Sequence, residues 1–285
     1  MKPTKRDDAR AEHDAARRGF LKHAATTATL AAVAARGVAA QTTPPAAAAQ
    51  RPGAPLKGVD VKFTSGDLTI PAYLSRPPKK KTAPAVLVIH EVFGLNDHIK
   101  NVADRIAAEG YVALAPNFFA RAAEPPPKDV SDMQAVRRAA SSVKQEDANK
   151  DMQAALDFLK ADKGVKKKFA SIGFCMGGGY SYQLATHTTD LAGAVIFYGR
   201  TPVELVPQVS CPILAHFGGK DTGLMQTEPA WEDAMRKAGK TLDVKVYPEA
   251  GHGFFNDTRP TAYNAEAAAD AWQRVIKFFH ERLGE

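Results

Sequence analysis

Three short segments of the chain carry side chains that could act together in nucleophilic catalysis. Cys175 lies in Gly-Phe-Cys-Met-Gly (173–177), between an apolar run and further glycines. Asp221 ends the segment Gly-Gly-Lys-Asp, and His252 lies in Ala-Gly-His-Gly. Thiol, carboxylate and imidazole are the groups of a nucleophile, an orienting acid and a general base. The sequence therefore raises the possibility of a cysteine-based triad.

The glycines around Cys175 favour a nucleophile over a structural cysteine. Gly173 and Gly177 frame it in Gly-x-Cys-x-Gly, the cysteine form of the nucleophile elbow that joins a strand to a helix. Such a turn is strained and packs closely, so glycine is needed beside it. The helix N-terminus that follows favours a thiolate and a developing oxyanion. The pattern alone leaves a buried core cysteine open, because unpaired cysteines are commonly buried.

The elements around these segments predict an α/β fold, a mostly parallel sheet with helices on both faces. Short apolar runs alternate with helix-period segments after an initial hairpin, and side chains that follow parallel strands meet at one sheet edge. The predicted strands are 59–63, 68–74, 85–89, 111–115, 170–174, 192–198, 212–216 and 242–247, and the predicted helical segments are 98–109, 131–160, 178–187, 226–238 and 261–282.

The order of the three candidate residues points to one version of that fold. Nucleophile, acid and histidine follow one another along the chain as in α/β-hydrolases. We predict that His252 takes the thiol proton of Cys175 and later activates water, while Asp221 orients the imidazole. Either residue alone would also suit an ordinary turn or loop. Their joint position after two predicted strands favours the triad.

The loop after the predicted strand 85–89 is expected to supply part of the oxyanion site. In this fold, one backbone N–H from that loop and one from the residue after the nucleophile bind the oxyanion, which assigns the role to Val92 and Met176. Glu91 is unexpected there, because a carboxylate repels the anion that such a site stabilises.

Four motifs together resemble the dienelactone hydrolase family, the carboxymethylenebutenolidases. They are His-Glu-Val-Phe-Gly-Leu-Asn (90–96), Gly-Phe-Cys-Met-Gly-Gly-Gly (173–179), Gly-Gly-Lys-Asp (218–221) and Glu-Ala-Gly-His-Gly-Phe (249–254), and the resemblance covers 57–285. It implies a triad of Cys175, Asp221 and His252, with Glu91 as a further glutamate that takes part in activating the nucleophile. It also implies hydrolysis of an unsaturated lactone through a thioester, without a cofactor or metal.

The substrate-binding residues are less clearly indicated. Phe93, Arg121 and Phe254 are predicted to contact the substrate, a small lactone or ester. The family resemblance implies an arginine shortly after the catalytic histidine, but Asn256 stands there and Arg259 follows three residues later. The alternatives are a general carboxylesterase or peptidase of the same fold, and a non-catalytic scaffold that binds a small ligand. The complete triad argues against the scaffold.

The first 40 residues are typical of an export signal. Arg17 and Arg18 precede Phe-Leu-Lys, an apolar run (24–35) and small residues (38–40), which resembles a twin-arginine signal. This predicts a periplasmic or secreted protein that meets the twin-arginine export machinery. A Pro/Ala-rich linker (41–56) and one hydrolase domain (57–285) follow. An apolar run of this length is too short to span a bilayer, so no stable membrane association is predicted.

Charge and cysteine content restrict the function further. Of the net charge of +7, the first 40 residues supply +4, so the domain is only weakly basic and nucleic-acid binding is not expected. Cys211 precedes a predicted strand, at the end opposite the candidate triad. We predict that it is structural and does not pair with Cys175.

Overall fold

The structure is a computed structural model that describes residues 57–127 and 130–284. The predicted export signal (1–40) and linker (41–56) lie outside these residues and stay predictions. Among the residues described, the helices are too short or too polar to cross a membrane.

A single eight-stranded sheet forms the centre of the described chain. Its strand order is β1-β2-β4-β3-β5-β6-β7-β8. The β1–β2 hairpin is antiparallel, β2 pairs antiparallel with β4, and the other neighbours are parallel. The predicted α/β fold is confirmed. The strands are β1 (Val59–Ser65), β2 (Leu68–Ser75), β3 (Ala83–Ile89), β4 (Val112–Pro116), β5 (Val165–Phe174), β6 (Leu191–Phe197), β7 (Ile213–Gly218) and β8 (Leu242–Tyr247).

Helices cover both faces of this sheet. They are α1 (Asp97–Ala108), α2 (Met133–Ser142), α3 (Gln145–Ala161), α4 (Met176–His187), the short α5 (Thr222–Met225), α6 (Glu228–Lys237) and α7 (Ala265–Phe279). Short 3-10 helices span Phe118–Arg121 and Val203–Gln208, and a π-helical turn spans His280–Gly284.

The predicted helical segment 131–160 is two helices, which corrects the prediction. Val143 has an extended backbone and a buried side chain, and it separates α2 from α3. The hydroxyls of Ser141 and Ser142 donate to the carbonyls of Arg138 and Ala139, which satisfies acceptors at the end of α2. The side-chain periodicity continues across the break, so it did not reveal this interruption.

The alternation of strand side chains divides the apolar core into two layers. In β3 all seven residues are buried, as expected for a strand covered on both faces. Leu87 and Ile89 belong to the layer that contains residues of α3, α4 and α6, and Val86 and Val88 belong to the layer with residues of α1 and α7. The two layers fix the register of β3 and β5, whose carboxyl ends carry the candidate site.

Both cysteines are free thiols, which confirms that Cys175 and Cys211 do not pair. Cys211 is buried two residues before β7 begins, and burial raises the pKa of its thiol to about 12. A buried thiol with so high a pKa is unreactive at neutral pH, as expected of a structural residue.

Candidate active site

Cys175 occupies a strained turn between β5 and α4. Its backbone has φ 55° and ψ −114°, a conformation that non-glycine residues rarely adopt. The Cys175 N–H donates to the Phe197 carbonyl at 3.0 Å, and the Cys175 carbonyl accepts from Gly179 N–H at 3.2 Å. These bonds from β6 and α4 hold a half-buried thiol at the sheet edge. The arrangement is that of the predicted nucleophile elbow.

Two glycines make the turn possible because no side chain would fit at either position. A Cβ atom on Gly173 would lie 1.8 Å from the Gly177 carbonyl oxygen, and one on Gly177 would lie 2.3 Å from the Ile89 carbonyl oxygen. Both obstacles are backbone atoms, which cannot move aside as a flexible side chain could. The start of α4 therefore packs directly on the end of β3.

This packing predicts a cost for Gly177→Ala. We expect the free energy of unfolding to fall by about 3 kcal/mol, because the added methyl group overpacks a backbone contact. Thermal denaturation of the two proteins measures this difference. Gly179→Ala in the same helix is the matched control, since its Cβ would meet its nearest neighbour at an ordinary 3.5 Å. Equal losses in both variants would contradict the explanation by close packing.

The structure brings Asp221 and His252 together at the ends of β7 and β8. The Nδ1 of His252 lies 2.6 Å from the Asp221 Oδ2. Asp221 also caps α5, with its side-chain Oδ1 accepting from Leu224 N–H at 3.5 Å. The carboxylate is therefore fixed by its own helix and oriented towards the ring. Because Nδ1 faces the carboxylate, Nε2 is the nitrogen left for the nucleophile.

The pKa of His252 reflects both neighbours. Partial burial of the ring acts to lower it, but the contact with the Cys175 sulfur and the hydrogen bond to Asp221 favour the charged form and raise the pKa to about 9. A raised imidazole pKa between a thiol and a carboxylate is the pattern expected of a general base that holds a proton. The structure thus places Cys175, His252 and Asp221 in one contiguous group.

His90 holds the loop that carries Glu91. The His90 Nε2 accepts from Phe118 N–H at 3.1 Å, so its Nδ1 carries the proton and donates to the Glu91 carbonyl at 2.7 Å. Complete burial lowers the pKa of His90 to about 4, so the ring is neutral. His90 is therefore a structural residue that anchors this loop.

Glu91 lies inside the site, with 2% of its surface exposed. Its carboxylate accepts from Asn256 Nδ2 at 2.5 Å and from the Tyr198 hydroxyl at 3.5 Å. Tyr198 was not among the predicted site residues. It follows β6 directly, has a positive φ of 39°, and its ring lies 5.1 Å from that of His252. The predicted strand 192–198 included Tyr198 as its last residue, so the sequence pattern did not show that Tyr198 lies beyond the end of β6.

The two predicted oxyanion donors lie on adjacent loops. Met176 is the first residue of α4, where N–H groups have no acceptor within the helix. Val92 lies in a turn closed by the Gly94 N–H and the Glu91 carbonyl at 3.1 Å. The loops touch, because a Cβ on Gly177 would come 2.6 Å from the His90 carbonyl oxygen. The arrangement suits the predicted role, which stays a prediction.

Arg121 is engaged elsewhere. Its Nε and terminal nitrogen donate to the two carboxylate oxygens of Asp151, both at 2.7 Å, and the Asp151 side chain is fully buried. The hydrogen bond to Asp151 raises the pKa of Arg121. Breaking such a pair would leave a buried charge uncompensated, so the structure argues against the predicted substrate contact.

Phe254 is also misplaced for a substrate contact. It has no exposed surface, and its ring packs against Tyr198 at 5.4 Å and Tyr247 at 5.1 Å. The ring is therefore part of the apolar core beside the site. Phe93 is half-buried in the Glu91 loop, and the Arg259 guanidinium lies 4.7 Å from its ring centroid. Phe93 remains a candidate for binding substrate.

A half-buried cation fixes the loop that follows His252. The Arg105 guanidinium of α1 lies 4.0 Å from the Trp272 ring centroid and 5.3 Å from that of Phe255, and burial lowers its pKa to about 10. Asp257 in the same loop lies 3.1 Å from His98 Nδ1. These contacts attach the histidine loop to α1 and α7.

The sheet order and the strand-to-helix turn at Cys175 are those of the α/β-hydrolase fold. Residues 70–283 match the model of the dienelactone hydrolase family, and the chain belongs to that family. This membership confirms the predicted enzyme class, an ester or lactone hydrolase. The predicted export signal (1–40) precedes the matched residues and stays a prediction.

Individual relatives cover most of the chain. A protein from Methylorubrum extorquens that carries the name carboxymethylenebutenolidase is 37% identical over 239 residues, 78% of this chain and 80% of the relative. One from Saccharolobus solfataricus with the same name is 36% identical over 254 residues, 77% of this chain and 96% of the relative.

Solved structures show the same fold. A protein from Klebsiella pneumoniae described as a dienelactone hydrolase superposes with a TM-score of 0.74 at 30% identity, over 79% of this chain and 98% of that one. A dienelactone hydrolase-like promiscuous phosphotriesterase from metagenomic libraries gives 0.70 at 27% identity, over 80% of this chain and 99% of that one.

Proposed function

We propose that the protein hydrolyses a lactone or small ester of the dienelactone type through a thioester on Cys175. The observation that carries the proposal is the His252–Asp221 pair at 2.6 Å, beside a cysteine in a strained strand-to-helix turn. The raised pKa of His252, about 9, makes its imidazole a strong enough base to take the thiol proton of Cys175. This transfer gives a thiolate, the reactive form of cysteine.

The proposed acylation step moves one electron pair from sulfur to carbon. The Cys175 thiolate attacks the lactone carbonyl and forms a C–S bond, while the carbonyl oxygen becomes an oxyanion bound by the N–H groups of Val92 and Met176. Collapse of this intermediate breaks the ring C–O bond and expels an enolate, which accepts the Nε2 proton of His252 and leaves the imidazole neutral. The open chain stays attached as a thioester.

The second step releases the product. His252, now neutral, takes a proton from water, and the resulting hydroxide attacks the thioester carbonyl. The C–S bond breaks, the product leaves as a carboxylic acid, and the thiolate and imidazolium are regenerated. Asp221 keeps the Nδ1 proton in place, so Nε2 is the atom that exchanges protons throughout.

Arg259 supports an anionic substrate. Its guanidinium lies over Phe93 and so connects the loop of Glu91 with the loop of His252. No carboxylate of the described residues forms an ion pair with it, so its charge is available to a ligand carboxylate. We propose Arg259 and Phe93 as the substrate-facing pair, in place of Arg121 and Phe254.

A substrate panel with adduct detection tests the proposal. We expect a dienelactone to be hydrolysed with a kcat/KM at least roughly tenfold above that of a short nitrophenyl ester, a difference worth about 1.4 kcal/mol. Rapid quenching and mass spectrometry should find the acyl group on the peptide that contains Cys175. A preference for the aryl ester would favour a general carboxylesterase. Absence of both turnover and adduct would favour a binding scaffold.

A phosphotriester belongs in the same panel because one structural relative is described as a phosphotriesterase. We expect it to be a poorer substrate than the lactone.

We also propose that the protein acts outside the cytoplasm, on the basis of residues 17–40. Fractionation of expressing cells, with an Arg17→Lys and Arg18→Lys variant as control, tests that location.

A further inference from the structure

Two runs of three lysines meet at the edge of the sheet opposite the candidate active site. Residues 79–81 are lysines that precede β3, and residues 166–168 are lysines near the start of β5. The strands pair in parallel from Ala83 and Val165 onward, and the Ala83 N–H donates to the Gly164 carbonyl at 3.1 Å. Both runs therefore lie side by side at the amino ends of these strands, and all six lysines are exposed.

A bulge in β5 presents the second run to solvent. Ala83 pairs with Val165 and Ala85 pairs with Phe169, so three residues of β5 lie opposite one residue of β3. Val165 and Phe169 are buried, whereas the three lysines between them are exposed. A bulge bends its strand and changes the direction of the side chains within it. The pairing of β3 with β5 thus leaves residues 166–168 outside the regular alternation of the sheet.

The surface formed by residues 76–81 and 162–168, named here the basic edge, has a high density of positive charge. These two segments contain eight Lys or Arg residues and one carboxylate, that of Asp162. Asp162 forms a salt bridge with Arg76. The domain as a whole is only weakly basic, so its positive charge is concentrated at this edge instead of being spread evenly over the surface.

The basic edge lies far from the candidate active site. Cys175 follows the carboxyl end of β5, so at about 3.3 Å per strand residue it is roughly 25 Å from residue 167. The triad residues follow the carboxyl ends of their strands, whereas the lysines lie at the amino ends. A partner bound to the basic edge would therefore leave the candidate active site uncovered.

We propose that the basic edge docks reversibly on the surface of a lipid bilayer that carries anionic headgroups. Each lysine near such a surface adds to the attraction, and clustered lysines act together because the bilayer presents many negative charges. A single basic surface gives reversible binding, since stable anchoring takes a second signal such as an acyl chain. This docking surface is separate from the triad and does not depend on the proposed function.

The composition of the basic edge favours a lipid surface over a nucleic acid. Seven of its eight basic residues are lysines, which are hydrated point charges and lack the planar fork that binds phosphates and bases in pairs of hydrogen bonds. The single arginine is paired with Asp162. The two segments contain no aromatic side chain on which a base could stack. A layer of anionic headgroups requires only a high local charge.

Sedimentation of the full chain with lipid vesicles tests the proposal. One set of vesicles contains phosphatidylglycerol and phosphatidylcholine in equal parts, and the other contains phosphatidylcholine alone. We expect the partition coefficient to be at least thirtyfold or so higher for the anionic vesicles at about 50 mM NaCl, and to fall more than roughly tenfold at about 300 mM NaCl. Replacing Lys79, Lys81 and Lys167 together with glutamine should lower the partition coefficient by about a hundredfold.

A charge-matched variant separates the basic edge from the net charge of the protein. Replacing Lys62, Lys150 and Lys237 with glutamine removes the same charge from exposed positions of β1, α3 and α6, and we expect a loss of less than about threefold. The first 40 residues, which are also basic, are present in every variant and do not affect this comparison. All six substituted lysines are exposed, so both variants should fold.

Three results would overturn the proposal. They are equal losses in the two triple variants, equal binding of the parent protein to neutral and anionic vesicles, and tighter binding to duplex DNA than to anionic vesicles at the same salt concentration. The last of these would assign the basic edge to a nucleic acid. Failure of the proposed function would appear separately, because a protein without hydrolytic activity would still bind the vesicles.

Discussion

Replacing Cys175 with alanine is expected to lower kcat/KM for ester and lactone hydrolysis by about 10⁴-fold or more. The thiol is the group that would bond to the substrate carbon, and no second nucleophile among the described residues follows the same strand. The residual rate would come from the oxyanion donors and from His252 acting on water. Steady-state kinetics on the lactone and the aryl ester measure the loss.

The chain supplies a matched control for this variant. Cys211→Ala removes the other thiol, which is buried and has a pKa of about 12. We expect its kcat/KM to stay within about twofold of the parent protein, because the thiol lies away from the candidate site. Hydrolysis that survives in Cys175→Ala, or that is lost equally in both variants, would remove the nucleophile from the proposed mechanism.

The strands and the candidate catalytic residues at their carboxyl ends were predictable, because buried parallel strands leave a clear apolar pattern in the sequence. A strand covered on both faces must be apolar along its length, as β3 is, and the chain marks its end with the first polar residue, His90. The same rule identified Cys175, Asp221 and His252. Glycine spacing located the elbow because the clash that excludes a side chain involves only backbone atoms.

Contacts that depend on side-chain direction were not predictable. Arg121 follows a strand as the catalytic residues do, but its guanidinium pairs with Asp151 of a helix 30 residues later. Asn256 was noted only as a missing arginine, and its bond to Glu91 joins residues 165 positions apart. Tyr198 ends an apolar strand and has the composition of a core residue. Its strained φ is a property of the fold, which periodicity does not record.

Asp221→Asn should produce the second large effect, a fall in kcat of about 10³- to 10⁴-fold. In the parent protein, the Asp221 carboxylate accepts the Nδ1 proton of His252 at 2.6 Å and leaves Nε2 free to accept from the thiol. An asparagine can instead donate to Nδ1, which moves the ring proton to Nε2 and blocks that transfer. Asparagine is as good an N-cap as aspartate, so α5 should still form.

The same variant changes the pH dependence in a defined direction. In the parent protein the imidazolium, with a pKa of about 9, is lost as pH rises through that value, so activity should decline above pH 9. Removing the Asp221 charge removes one of the causes that raise this pKa, so the decline should begin at lower pH. Asp132→Asn, which removes the same charge at the N-cap of α2, is the control and should keep the parent profile. If Asp221→Asn keeps both its rate and its alkaline limit, then Asp221 does not orient His252. The raised pKa of that histidine would then have to come from Cys175 alone.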